Sequence, residues 1–189
     1  MSADVIDLIT RDHREIERLF ESLKNEPGQR ALVLPELSAL LVAHQRAEEA
    51  EVYPVARTEA GETEEVEHSD EEHEQAAKLL QRLRTVTDLH GSEFSDLLTK
   101  LFDDVQHHVS EEEDTVLAGM RSSLSDARRA QLGLAFAARR AAELERGDTG
   151  IDPAADMSKD ELEERARQAG IPGRSHLNKR ELADRLKKI

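Results

Sequence analysis

Apolar residues recur along the chain at steps of three and four with charged residues between them, the spacing of amphipathic helices. Five long segments carry this pattern. The first spans about Asp4 to Leu23 and ends at the breaker cluster Asn25, Glu26, Pro27, Gly28. The second starts near Pro35, a residue suited to a first helical turn, and runs to about Glu59, with a kink expected at Pro54. A third covers about Glu64 to Asp88 and a fourth Glu93 to Arg121. The fifth, from about Asp126 to Glu145, has Ser125 in place as an N-cap. Short connections between such helices predict an all-α fold: an antiparallel four-helix bundle over residues 1–123, with an additional helix over 124–146 packed on it or extending from it. Residues 147–156 mix glycine, proline and turn-forming acids and read as a linker, and 157–189 as a small helix–loop–helix tail.

The inward stripes of the four bundle helices should be apolar throughout, and they are not. The first reads Ile9, His13, Ile16, Phe20, Leu23, and the second Leu37, Leu41, His44, Glu48, Val52, Val55. The third reads Val66, Ser69, His73, Ala76, Leu80, Leu83, and the fourth Leu98, Leu101, Val105, His108, Glu112, Val116. One histidine in a core stripe is most often a hydrogen-bonded core residue. Four histidines and two carboxylates in one layer would cost several kcal/mol per unpaired charge unless a cation satisfied them. The i, i+4 spacing sets His44 with Glu48, and His108 with Glu112, on one face of each helix.

The pattern is also duplicated. HREIERLFESL from His13 matches HEQAAKLLQRL from His73, and HQRAEEAEVYP from His44 matches HVSEEEDTVLA from His108, at offsets of 60 and 64 residues. Each half thus supplies one His and one HxxxE, which makes a pair of metal ions natural.

Composition narrows the chemistry. The 189 residues include no cysteine, so disulfides, thiolate zinc sites and iron–sulfur clusters are excluded and any metal must bind through nitrogen and oxygen. No basic leader precedes an apolar run and no stretch approaches the roughly 18–20 apolar residues of a membrane span, so no membrane association and a cytoplasmic location are expected. The net charge of −15 is uneven: residues 1–150 hold 17 Lys and Arg against 33 Asp and Glu, whereas residues 157–189 hold 9 against 6. The acidic body is not a general polyanion binder.

With these residues in view, the stretch from about Val5 to Met120 resembles the hemerythrin-like, or HHE cation-binding, domain. The resemblance implies two iron ions joined by an oxo or hydroxo bridge, His13 and His44 on one iron, His73 and His108 on the other, and Glu48 and Glu112 bridging. Oxygen-carrying members use a fifth histidine one turn from the third-helix ligand, where this chain has Ser69 and Ala77. His68 lies five residues before His73, about 140° away on an ideal helix, and reaches the metals only if the helix bulges. Two six-coordinate irons offer about twelve positions, of which the expected ligands fill roughly ten. Two open places favour peroxide turnover or another bridging ligand; with His68 bound, one remains and reversible oxygen binding is favoured.

Several neighbours are ambiguous. His107 falls about 100° off the stripe and is expected at the surface. Glu49 and Glu113 follow proposed ligands and are expected to be solvated or to support them. Tyr53, opposite His44 on an ideal helix, turns inward only if the chain distorts near Pro54. His90 and His176 have no evident partner.

The tail segment DELEERARQAGIPGRSHLNKRELADRL resembles the helix–loop–helix at the start of the Rho transcription terminator and SAP-type modules. The resemblance implies weak, salt-sensitive nucleic-acid contact through Arg174, Lys179, Arg180 and Arg185. Docking on the acidic bundle, or self-association, is the alternative for this tail.

The leading functional expectation is a non-haem di-iron protein that binds or reacts with oxygen, hydrogen peroxide or nitric oxide, catalase-like turnover included. The alternative is an iron, oxygen or redox sensor, or an iron-sequestering protein, whose tail contacts nucleic acid.

Overall fold

Asp4 begins the helical body, its carboxylate accepting the Ile6 N–H at 2.9 Å as an N-cap. The computed structural model describes residues 4–147 and, in the tail, Glu163, Glu164, Ala166, Arg167, Ala169, Leu182 and Arg185. The chain divides into two units, residues 1–150 and 151–189. The first contains α1 (Val5–Asn25), a 3-10 turn at Pro27–Gln29, and α2 (Arg30–Ala47). The second helix then continues through a π-helical segment Glu48–Val52, a short α3 (Tyr53–Val55) and another π-helical segment Ala56–Ala60. After these come α4 (Thr63–Thr85), α5 (Ser92–Asp114), α6 (Val116–Ser123) and α7 (Asp126–Arg146). The described residues include no strand. The fold is all-α, as the periodicity predicts.

Helices α1, α2, α4 and α5 close into a four-membered ring in which each touches the next, and α7 lies against α1 and α2. Two boundaries differ from the sequence expectation, at Pro35 and Thr115, and the helix changes type around Pro54. The second helix begins at Arg30, so Pro35 sits inside it rather than in its opening turn. The bond that Pro35 cannot donate would have gone to the Ala31 carbonyl. Pro54 does not break the chain; the preceding turn widens into a π-helix, which accommodates a ring that would otherwise collide with the carbonyl four residues back. The fourth segment is interrupted at Thr115, whose φ of −116° and ψ of −80° leave the helical region, so α5 and α6 are separate. Gly61, at φ 81°, ends the second helix in the left-handed conformation that glycine adopts without strain.

Two apolar clusters fill the interior. One gathers Ile16, Phe20, Leu41, Ala76, Leu80, Leu101 and Val105, among others. The other gathers Val5, Ile9, Val52, Tyr53, Val66, Val116, Met120 and Phe136, among others. On each helix of the ring the histidine stands between a residue of one cluster and a residue of the other: Ile9 and Ile16 flank His13, Leu41 and Val52 flank His44, Val66 and Ala76 flank His73, and Val105 and Val116 flank His108. The polar layer is therefore sandwiched between two dry cores.

Helix α7 is held by Leu132 and Phe136 in the second cluster and by a buried carboxylate, Glu143, which meets Arg139 at 2.8 Å and Arg46 and Arg146 at 3.1 Å. Ser125 caps it, accepting the Arg128 N–H at 3.2 Å. No helix among the described residues is long and apolar enough to cross a membrane. Phe136 is 1% exposed and its ring meets that of His44 edge to face, centroids 6.0 Å apart. Phe136→Ala should therefore lower stability by about 3–5 kcal/mol, read from the urea midpoint; a loss below about 1 kcal/mol would show that α7 is not anchored there.

Candidate metal centre

His13, His44, Glu48, His73, His108 and Glu112 are all buried, and they meet in the layer between the two apolar clusters. One donor atom each from His13, His44 and Glu48 falls within 4.8 Å of the other two, and the same is true of Glu48, His73 and His108. Glu48 belongs to both groups: Oε1 lies 3.1 Å from His44 Nε2 and Oε2 lies 3.5 Å from His73 Nε2. Glu112 Oε2 lies 3.3 Å from His13 Nε2.

The outward nitrogen of every one of the four rings faces a second carboxylate. His13 Nδ1 donates to Glu113 at 2.8 Å, His108 Nδ1 to Glu72 at 2.9 Å and His73 Nδ1 to Glu49 at 3.2 Å, while His44 Nδ1 stands 3.5 Å from Asp12, at ion-pair distance. An ionised carboxylate only accepts, so a proton is assigned to Nδ1, and the inward Nε2 is the nitrogen that offers its lone pair to a metal once any second proton has left. Asp12 in turn pairs with Arg140 of α7, and Glu113 with Arg14 at 2.7 Å.

The supports follow the duplication. Asp12 and Glu72 each precede a ligand histidine of the first kind and serve the HxxxE histidine of their own half. Glu49 and Glu113 each follow an HxxxE motif and serve the histidine of the other half. Glu49 and Glu113 were expected as supporting or solvated residues; Asp12 and Glu72 were missed, although an acidic residue directly before both His13 and His73 was a repeated signal.

The donor set fits a cation. His13 Nε2, both ring nitrogens of His44 and all four oxygens of Glu48 and Glu112 are buried without a hydrogen-bond partner. Their close approaches to one another are ion-pair distances without hydrogen-bond alignment. His73 Nε2 and His108 Nε2 face each other at 3.0 Å, and with both Nδ1 protons committed outward the two lone pairs oppose each other. Native interiors rarely leave so many polar atoms unsatisfied in one place. Imidazole and carboxylate donors without sulfur suit first-row ions such as iron, manganese and zinc.

The electrostatics of the protein part agree. Burial opposes a charge on His44, but Glu48 and Asp12 outweigh it and push its pKa up to about 10. Burial likewise opposes charge on Glu112, yet the close His13 and the nearby His108 and His44 hold it at about 2. His13 is raised, against its burial, by Glu112 and Glu113.

Tyr53 also enters the layer. It is fully buried, stacks on His73 with centroids 5.5 Å apart, and its hydroxyl stands 3.3 Å from His73 Nε2. The π-helical segment Glu48–Val52 takes more residues per turn than an α-helix, and this changed phase brings Tyr53 round to the side of His44 and Glu48. Burial, then Glu112 and Glu48, raise its pKa well above the usual phenol value, so the hydroxyl keeps its proton.

The remaining histidines are elsewhere. His68 is not brought into the buried layer; its side chain is 55% exposed and meets Glu72 and Glu111. α4 runs through this region without the bulge that would have turned it inward. His107 is exposed where His108 is buried, and His90 is exposed. Ser69, where a fifth histidine would stand, is buried. His176, Arg174, Lys179 and Arg180 lie outside the described residues, and Arg185 is exposed.

Beside the layer is a cavity of about 10 Å³, room for roughly one water. Its walls combine His13, His44, His73, His108 and Glu72 with the apolar Ile16, Leu41, Val105 and Val109.

The family model for the hemerythrin HHE cation-binding domain matches residues 4–118. The chain belongs to that family. This HHE domain is a metal-binding helical body, and the matched span includes every residue of the buried layer. Among curated proteins the chain is similar to a protein described as a DNA nickase from Nostoc sp., 32% identical over 137 residues, which is 71% of this chain and 38% of the relative. The chain thus spans well under half the length of that relative. No solved structure gives a significant match.

Two outcomes follow for the HHE layer. Glu113→Gln removes the ionised acceptor on His13 and should weaken metal binding about 10–100-fold in a competition titration with a chelator, the usual effect of losing such a support; unchanged affinity would show the contact to be incidental. Because His44 holds its proton up to about pH 10 and ligation needs the neutral nitrogen, adding metal to metal-free protein near neutral pH should release protons into a weak buffer. The apparent affinity should rise as the pH climbs toward that value, and an unchanged pH on metal addition would contradict the ligation of His44.

Proposed function

We propose that this protein is a non-haem di-iron protein that binds or reacts with a small oxidant: oxygen, hydrogen peroxide or nitric oxide. The carrying observation is the set of buried donor atoms without hydrogen-bond partners, beside a cavity of about 10 Å³. His13 and His44 would hold one iron and His73 and His108 the other, with Glu48 and Glu112 shared. The duplicated halves and the position of Glu48 in both donor groups support that division.

Iron held there would supply open coordination positions and a change of redox state for a ligand of two heavy atoms. The chain's own residues set the conditions. Ile16, Leu41, Val105 and Val109 narrow the cavity, so molecules much larger than water or a diatomic are excluded. The Tyr53 hydroxyl, kept protonated, can donate a hydrogen bond inside the layer. With Ser69 where a fifth histidine would stand and His68 at the surface, the protein supplies the four-histidine set, which leaves more open positions and favours peroxide turnover over reversible carriage.

The similarity to the DNA nickase supports a shared helical body rather than a shared activity. A phosphodiester cannot reach donors at most 6% exposed through a cavity of one water, and residues 1–150 carry a strongly negative charge.

Iron-supplemented protein should carry about two iron ions per chain. His44→Ala and Glu112→Ala should lose most of that iron, whereas His90→Ala, at an exposed turn, should keep it. Equal loss from all three contradicts the assignment. On adding hydrogen peroxide to the loaded protein, steady oxygen release with a retained visible spectrum identifies an enzyme. One stoichiometric bleaching identifies a sensor or store instead.

A further inference from the structure

His68, left over by the buried layer, stands in a group of its own. On the outer face of α4 and α5 it meets Glu72, His107 and Glu111, two i, i+4 His-Glu pairs on neighbouring helices. His68 Nε2 is 3.3 Å from Glu111 Oε2 and 3.6 Å from Glu72 Oε1. His107 Nε2 is 3.4 Å from Glu111 Oε1 and 3.8 Å from Glu72 Oε1. Four donors on a tetrahedral first-row ion, with bonds of about 2.1 Å, stand about 3.4 Å apart. The two separations to Glu72 Oε1, 3.6 and 3.8 Å, are close to that figure, Glu111 turns one oxygen toward each histidine, and one donor atom from each of the four residues lies within 4.8 Å of the others. None of the four contacts has hydrogen-bond geometry, so the side chains converge on a point rather than pairing off.

A second observation distinguishes this group from an ordinary charged surface. Glu72 is only 12% exposed, it lines the cavity beside the buried histidines, and its other oxygen, Oε2, accepts the His108 Nδ1 proton at 2.9 Å. One carboxylate therefore has an oxygen in each site. Half-burial and that hydrogen bond fix its orientation, which gives the outer group one rigid donor around which the three more exposed side chains can close.

We propose that His68, Glu72, His107 and Glu111 form a separate, exchangeable site for a divalent first-row transition ion. Two imidazoles and two carboxylates suit Zn²⁺, Fe²⁺ and Co²⁺ alike. Exposure of 55% and 62% at the two histidines lets the ion come and go without opening the bundle. The site is distinct from the buried layer and does not depend on which metal that layer holds. It shares only Glu72 with the support of His108.

The test is a calorimetric titration of the full, iron-loaded chain with Zn²⁺, beside the double variant His68→Ala/His107→Ala and the control His90→Ala. Both altered histidines are exposed, and circular dichroism with iron content verifies that the bundle is intact. The wild type and the control should take one Zn²⁺ more per chain than the double variant. The remaining affinity of the variant should fall by more than about 100-fold, beyond the about 10–100-fold that loss of a mere supporting group costs. Equal uptake by all three proteins, or no uptake by the wild type, overturns the proposal. If the buried layer held no iron, Zn²⁺ would fill both places, and the difference of one ion between wild type and double variant would still report the outer site alone.

Discussion

The structure turns on a desolvation problem. Four imidazoles and two carboxylates lie between two apolar clusters, where an uncompensated charge costs several kcal/mol and an unpaired polar atom about 1–3. Side chains alone do not solve it, since the inward oxygens of Glu48 and Glu112 and the inward nitrogens of His13 and His44 have no hydrogen-bond partner. A cation is what makes such a layer compatible with a dry interior. The amphipathic stripes above and below the layer then position it, because a helix that buries Ile9 and Ile16 has no choice but to bury His13 between them.

The ring of outer carboxylates converts burial into chemistry. Each carboxylate takes the proton on one side of an imidazole and so fixes which nitrogen points inward. The exchange between halves, with Glu49 serving His73 and Glu113 serving His13, means that neither helical hairpin completes its own site. The supporting contacts therefore exist only where the two halves pack together. Tyr53 adds a protonated hydroxyl to the layer.

Much of this was legible in the sequence. The period of the apolar residues located the helices, and the interruption of each stripe located the histidines, because a polar residue at a core position is visible without coordinates. The choice of His108 over His107 followed from the same wheel and agrees with their burial. What the wheel could not show is any departure from its own period. The π-helical turn before Pro54 changes the phase of everything after it, so Tyr53, read as facing away, is inside. The break at Thr115 left no composition signal at all. Supports such as Asp12 and Glu72 were hidden for a different reason: an acidic residue in an acidic helix reads as solvated until a neighbouring helix is known to present a ring nitrogen to it.

The contact between Arg140 and Asp12 places part of the metal layer's support on α7, which begins eight residues after the family pattern ends at residue 118. Asp12 faces His44, so a guanidinium from outside the pattern steadies the carboxylate that orients a ligand inside it. The recognisable domain and the physical module are consequently different lengths. A sequence signature marks a span of chain, whereas the cooperative unit extends as far as the last side chain that steadies the buried layer. Transplanting residues 4–118 alone would carry over the signature but leave one ligand with a loosened anchor.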